Sequence, residues 1–94
     1  MDNRQIKERR FWDRFAKRYD AFIKNTVNST YETIFKNIDL ELNLESNVLE
    51  IGTGTGIIPF SIYSKVSKVV ATDISAEMIR IANQKQNELN IKNI

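Results

Sequence analysis

A β-prone run, Val48-Leu49-Glu50-Ile51, ends abruptly at Gly52-Thr53-Gly54-Thr55-Gly56. Three glycines at alternate positions let a chain turn sharply out of a strand and bring its backbone N–H groups against a ligand, with no Cβ in the way. Beyond them, Ile57, Ile58, Phe60, Ile62 and Tyr63 supply the apolar side of a helix. Pro59 is tolerated only in the first turn, where its missing N–H has no partner to lose; the helix therefore starts near Thr55 or Gly56. The spacing G-x-G-x-G differs from the G-x-G-x-x-G dinucleotide fingerprint, and no Gly-Lys-Ser/Thr follows, which excludes a P-loop. Glu50, beside the loop, would repel a pyrophosphate and suits a ligand carrying an ammonium group.

The rest of the chain extends this unit. Lys68-Val69-Val70-Ala71-Thr72 is a second buried-strand candidate, closed by Asp73. Ser75 is placed to cap a helix from Ala76 to about Asn87, with Met78, Ile79, Ala82 and Leu89 facing inward. Residues 90–94 read as the approach to a third strand. The order β-α-β-α predicts a parallel sheet with right-handed crossovers. Asp73, at the end of the second strand, would lie beside the crevice at the strands' carboxyl ends, where a carboxylate accepts hydrogen bonds from both hydroxyls of a ribose. An adenosine-containing ligand follows from the two features together.

Two helices precede this unit. Phe11, Trp12, Phe15, Ala16, Tyr19, Phe22 and Ile23 recur at three- and four-residue steps between about Arg4 and Ile23. These aromatics read mainly as core. Val27, Tyr31, Ile34, Phe35 and Ile38 form one side of a second helix, with Asn25 or Thr26 as its cap. The polar stretch from Asp39 to Asn47 reads as a connector. The domain boundary therefore falls near residue 45, with a helical segment over 1–45 and the α/β unit over 46–94.

Composition narrows the chemistry further. The chain has 94 residues with no cysteine and no histidine. It therefore has no disulfide framework, no thiol nucleophile and no imidazole acid, base or metal ligand. No metal site is expected. With 41% hydrophobic and 28% charged residues it reads as globular, and it has neither a membrane-spanning run nor a secretory leader, so a cytoplasmic location is expected. Through Lys24, eight basic residues face four acidic ones, but the two signs are interleaved without a basic stripe. A nucleic-acid partner is not indicated.

Val48 to Gly56 resembles the first motif of class I S-adenosylmethionine-dependent methyltransferases. Val69 to Ile79 is similar to that family's second strand, ribose acid and following helix, and Phe11 to Asp20 resembles the N-terminal helix of its small-molecule members. The resemblance implies an α/β, Rossmann-like parallel sheet, here incomplete: two helices and the first β-α-β-α of a seven-stranded fold. It implies S-adenosyl-L-methionine as cofactor and methyl transfer to a small-molecule acceptor. Gly52, Thr53, Gly54 and Gly56 would meet the methionine and ribose parts, and Glu50 the methionine amino group, directly or through water. Asp73 would hold the ribose hydroxyls, Ile74 and Met78 would lie against the adenine, and Tyr19 would stand near the methionine end. No catalytic residue can be named, since the family's later strands and acceptor-binding segments have no counterpart in these residues. The chain alone is expected to be inactive, and to self-associate or pair with a complementing C-terminal half. Two other readings are a non-catalytic NAD-type binding module and a helical interaction protein with a vestigial loop.

Overall fold

Two parallel strands set the frame of the fold. The computed structural model describes residues 2–26 and 28–94. Strands β1 (Asn47–Ile51) and β2 (Lys68–Thr72) pair in parallel, with Val48 opposite Val69, Glu50 opposite Ala71 and Ile51 opposite Thr72. Helix α1 spans Asn3–Thr26 and α2 spans Asn28–Asp39, both ahead of the sheet. Helix α3 (Ile57–Ile62) and a single 3-10 turn (Tyr63–Lys65) cross from β1 to β2, and α4 (Ala76–Leu89) follows β2. The α/β order is the expected one. Val27 and the side chains of Asn25 and Thr26, expected at the start of the second helix, lie outside the described residues.

Alternation along the strands divides the sheet into two faces. Val69 is fully buried and packs with Ile62 and Val66, ringed by Ile38, Leu42, Val48, Ile58 and Ile94. Leu49, Ile51 and Val70 point the other way and are exposed, Ile51 at 83%. Parallel strands normally carry helices on both faces, so the hydrophobic run of β1 and β2 is only half used by these residues.

Helix α4 is delimited by its caps. Ser75 Oγ accepts a hydrogen bond from Met78 N at 3.1 Å, the expected N-cap. At the other end Asn90 takes a left-handed conformation (φ 55°), which carries the helix to Leu89, two residues past the expected end. Leu89 is exposed rather than inward-facing; Ile91, past the cap, is buried instead. Residues 91–94 form no regular strand. Their expected course is nonetheless visible, because Val69 N donates to Asn93 O at 2.8 Å along the free edge of β2.

The aromatic stripe of α1 contributes less to the core than its spacing predicts. Ala16 is the one fully buried α1 residue among the described residues, while Phe11 and Phe22 are exposed. The rings pack on one another along the helix: Phe15 meets Phe22 with centroids 5.5 Å apart, and Trp12 meets Tyr19 at 6.3 Å.

Candidate functional site

The glycine loop starts as a continuation of the sheet. Gly52 N and Thr53 N both donate to Thr72 O, at 2.9 and 2.8 Å, so the loop is tied to the end of β2 as it leaves β1. All three glycines have positive φ, between 61° and 91°. Their surroundings differ. A Cβ on Gly52 would meet nothing within 4 Å, whereas one on Gly54 would lie 3.1 Å from the Tyr19 ring and one on Gly56 only 2.7 Å from Phe60. Gly52 thus faces open space, and Gly54 and Gly56 serve close packing.

That open space is a cavity of about 540 Å³ at the carboxyl ends of β1 and β2. Ile51, Gly52 and Gly54 form one side, and Thr72, Asp73 and Ile74 the other. Met78 lines it from α4; Glu8, Trp12 and Tyr19 line it from α1. The volume lies within the range of roughly 300–1,000 Å³ usual for small-molecule sites. Among the described residues its charged lining groups are the carboxylates of Glu8 and Asp73, with no lysine or arginine in the lining; Arg4 pairs with Glu8 from one turn earlier on α1, at 3.3 Å.

Asp73 joins the two halves of the cavity wall. Its Oδ2 accepts from Gly54 N and its Oδ1 from Ser75 N, each at 2.8 Å. Each carboxylate oxygen still has acceptor capacity for a ligand. Tyr19 stands over the loop, its hydroxyl 3.5 Å from that of Tyr31. Burial raises the Tyr19 phenol well above its ordinary value of 10, and the hydrogen bond to Tyr31 and the nearby Asp73 and Asp20 charges add to this. The group therefore stays protonated and able to donate.

Of the residues named from the sequence, Gly52, Gly54, Asp73, Ile74, Met78 and Tyr19 meet at this cavity. Glu50, Thr53 and Gly56 do not line it. Glu50 lies on the packed face of the sheet with Val48, half-buried, and its Oε1 has no hydrogen-bond partner. Thr53 Oγ1 is likewise buried without one. Burial pushes the Glu50 carboxyl above its usual 4.5, and the nearby Asp73 charge adds to this. A raised carboxyl favours the protonated native state, so this group costs stability increasingly as pH rises through its folded value. Glu50→Gln is therefore expected to melt higher than the parent at neutral pH, with the gain vanishing below pH 4.5, where the parent is itself protonated. Melts of both chains across that window test this; a gain that persists in acid would refute it.

Sequence reasoning passed over Glu8, and it read Trp12 as core. Both belong to one stripe of α1: Glu8 and Trp12 are four residues apart and Tyr19 is seven further on, a spacing that puts all three on a single helical face.

A family model, "Methyltransferase domain", matches residues 48–94, which run from the second residue of β1 through the glycine loop, α3, the 3-10 turn, β2 and α4 to the tail. The chain belongs to the methyltransferase-domain family. An uncharacterized methyltransferase of Staphylococcus carnosus is 38% identical over 79 residues, covering 79% of this chain and 38% of that protein. The malonyl-[acyl-carrier protein] O-methyltransferase of Priestia megaterium is 33% identical over 90 residues, covering 94% of this chain and 32% of that protein. The chain thus spans about a third of the length of these methyltransferases. The crystal structure of the YcgJ protein from Bacillus subtilis matches with a TM-score of 0.54 and 28% identity, over 56% of this chain and 23% of that one. The fold is accordingly part of a Rossmann-like methyltransferase domain.

Proposed function

We propose that this chain is the S-adenosylmethionine-binding part of a methyltransferase that acts on a small-molecule acceptor. The observation that carries the reading is the charge of the cavity. A nucleoside-sized space at the ends of two parallel strands is lined, among the described residues, by the carboxylates of Asp73 and Glu8 and by no cation; Glu8 is paired with Arg4 outside the lining, which leaves Asp73 as the unneutralised charge. S-Adenosylmethionine carries a sulfonium and an ammonium group, so the Asp73 carboxylate attracts it; the pyrophosphate of NAD would be repelled. The residues fit the cofactor in other ways. Gly52 leaves the wall open for close approach, and Asp73 has acceptor capacity for ribose hydroxyls. Ile74 and Met78 supply apolar surface for a base; Glu50 lies outside the cavity lining, but its orphaned carboxylate oxygen, beside Thr53 of the loop, leaves an acceptor for a water that would bridge to the cofactor's amino group.

When bound, the cofactor supplies an activated methyl group. The work of this chain is to bind it and fix its orientation, through the glycine loop, Asp73 and the α1 face bearing Trp12 and Tyr19. Acceptor binding and any proton removal belong to segments corresponding to the other two-thirds of a relative's length. On this reading these 94 residues bind the cofactor without turnover.

Thermal melts with S-adenosylmethionine, with NAD and with neither test the assignment, since a ligand that binds only the folded state raises the midpoint. At a hundredfold excess over Kd the expected gain is about 2.7 kcal/mol, a shift of roughly 10–20 °C for a domain of this size. A rise with S-adenosylmethionine alone is the expected result. A rise with NAD alone would replace this reading by the nucleotide-module alternative.

A further inference from the structure

Helix α1 forms one wall of the cavity, yet little apolar burial holds it there. Ala16 is its one fully buried residue among those described, and Phe11 and Phe22 are exposed. Polar ties anchor it instead. Asp13 Oδ1 accepts from Ser75 Oγ at 2.5 Å and from Glu77 N at 3.2 Å, so a residue of α1 extends the N-cap of α4. Ser75 is the residue whose N–H holds Asp73, and the other Asp73 oxygen holds Gly54. One unbroken series of hydrogen bonds therefore runs from α1 through Ser75 and Asp73 to the glycine loop. A second tie lies two turns along: Asp20 accepts from Thr55 Oγ1 in the loop and pairs with Lys85 Nζ of α4.

We propose that Asp13 is a positioning residue for the cofactor cavity, joining the α1 wall that carries Trp12 and Tyr19 to the turn that carries Asp73. The proposal rests on the S-adenosylmethionine reading and adds to it a residue outside the cavity lining. Asp13 does not line the cavity; it acts through Ser75. Fixing the Ser75 hydroxyl fixes the turn whose N–H orients the Asp73 carboxylate, and the same contact brings the adjacent Trp12 over the cavity. Cofactor affinity and the docking of α1 are thereby coupled, since the ligand would bind only where wall and turn are both in place.

Trp12 is the sole tryptophan, so its fluorescence reports the docking of α1 directly. Asp13→Ala in the full chain is expected to increase acrylamide quenching of Trp12 and weaken S-adenosylmethionine binding about fivefold, the equivalent of one lost cap. Asp13→Asn keeps the acceptor oxygen and is expected to restore both readouts to near the parent. An Asp13→Ala chain with parental quenching and affinity would overturn the proposal, as would an Asp13→Asn chain no better than Asp13→Ala. If Asp13→Ala does not stay folded at the assay temperature, Asp20→Ala cuts the second tie with the α4 cap intact. It should then raise quenching and weaken binding, and parental values for it would overturn the coupling. Failure of the parent chain itself to bind would sink the cofactor reading and this proposal with it. Binding by the parent with no response in the variants would sink this proposal alone.

Discussion

Asp73→Ala is expected to weaken S-adenosylmethionine binding by about 1–3 kcal/mol, roughly 5- to 150-fold in Kd. The loss has two sources. One is direct, the removal of charge-assisted acceptors for a pair of hydroxyls. The other is the loop itself, because Asp73 accepts from both Gly54 N and Ser75 N. Without the carboxylate those N–H groups lose their partner, and the melting temperature of the ligand-free chain should fall as well. Asp73→Asn separates the sources. Its single carbonyl oxygen can hold one of the two N–H groups but not both, and it carries no charge. It should recover part of the melting temperature while affinity remains well below the parent. Calorimetric titration of the three chains measures the binding side and melts measure the loop side. Equal affinity for the parent and Asp73→Ala would rule out the ribose role.

The elements of the α/β unit were legible because each has a local signature: β-branched runs for the strands, glycines and Pro59 for the start of α3, Ser75 for the start of α4. What escaped was what depends on tertiary contact. The amphipathic stripe of α1 predicts a buried aromatic face. The helix instead lies where its Glu8, Trp12 and Tyr19 border a cavity, leaving Phe11 and Phe22 in solvent. Periodicity tells which residues share a face and says nothing of what the face meets. Glu50 shows the same limit in the strand. Its nearness to the glycines is plain in the chain order, whereas the turn of its side chain to the packed face with Val48, outside the cavity lining, follows from the two-residue alternation of β1 once the sheet is formed. The exposed Leu49, Ile51 and Val70 are legible in retrospect, since both faces of a parallel strand are apolar in anticipation of two layers of helix.

The three glycines, indistinguishable by motif, should separate sharply when each is given a methyl group. Gly56→Ala is expected to destabilise the fold by about 2–5 kcal/mol. Roughly 1–2 kcal/mol of this comes from a Cβ held in left-handed backbone, and about 1–3 from forcing the Phe60 ring out of place. The ring lies 2.7 Å from where the Cβ would stand, a distance at which something must move. Against a stability of about 5–15 kcal/mol for a domain, that is a large fraction. Gly52→Ala incurs only the backbone cost, because its Cβ enters open space. It should therefore melt well above Gly56→Ala. Under the cofactor reading, though, the Gly52→Ala methyl group occupies the cavity wall and costs affinity. Shortening Phe60 to leucine in the Gly56→Ala background should return part of the lost stability, since the obstacle is then smaller. Equal melting temperatures for Gly52→Ala and Gly56→Ala, or no recovery in the double variant, would show that the Phe60 contact does not set the identity of residue 56.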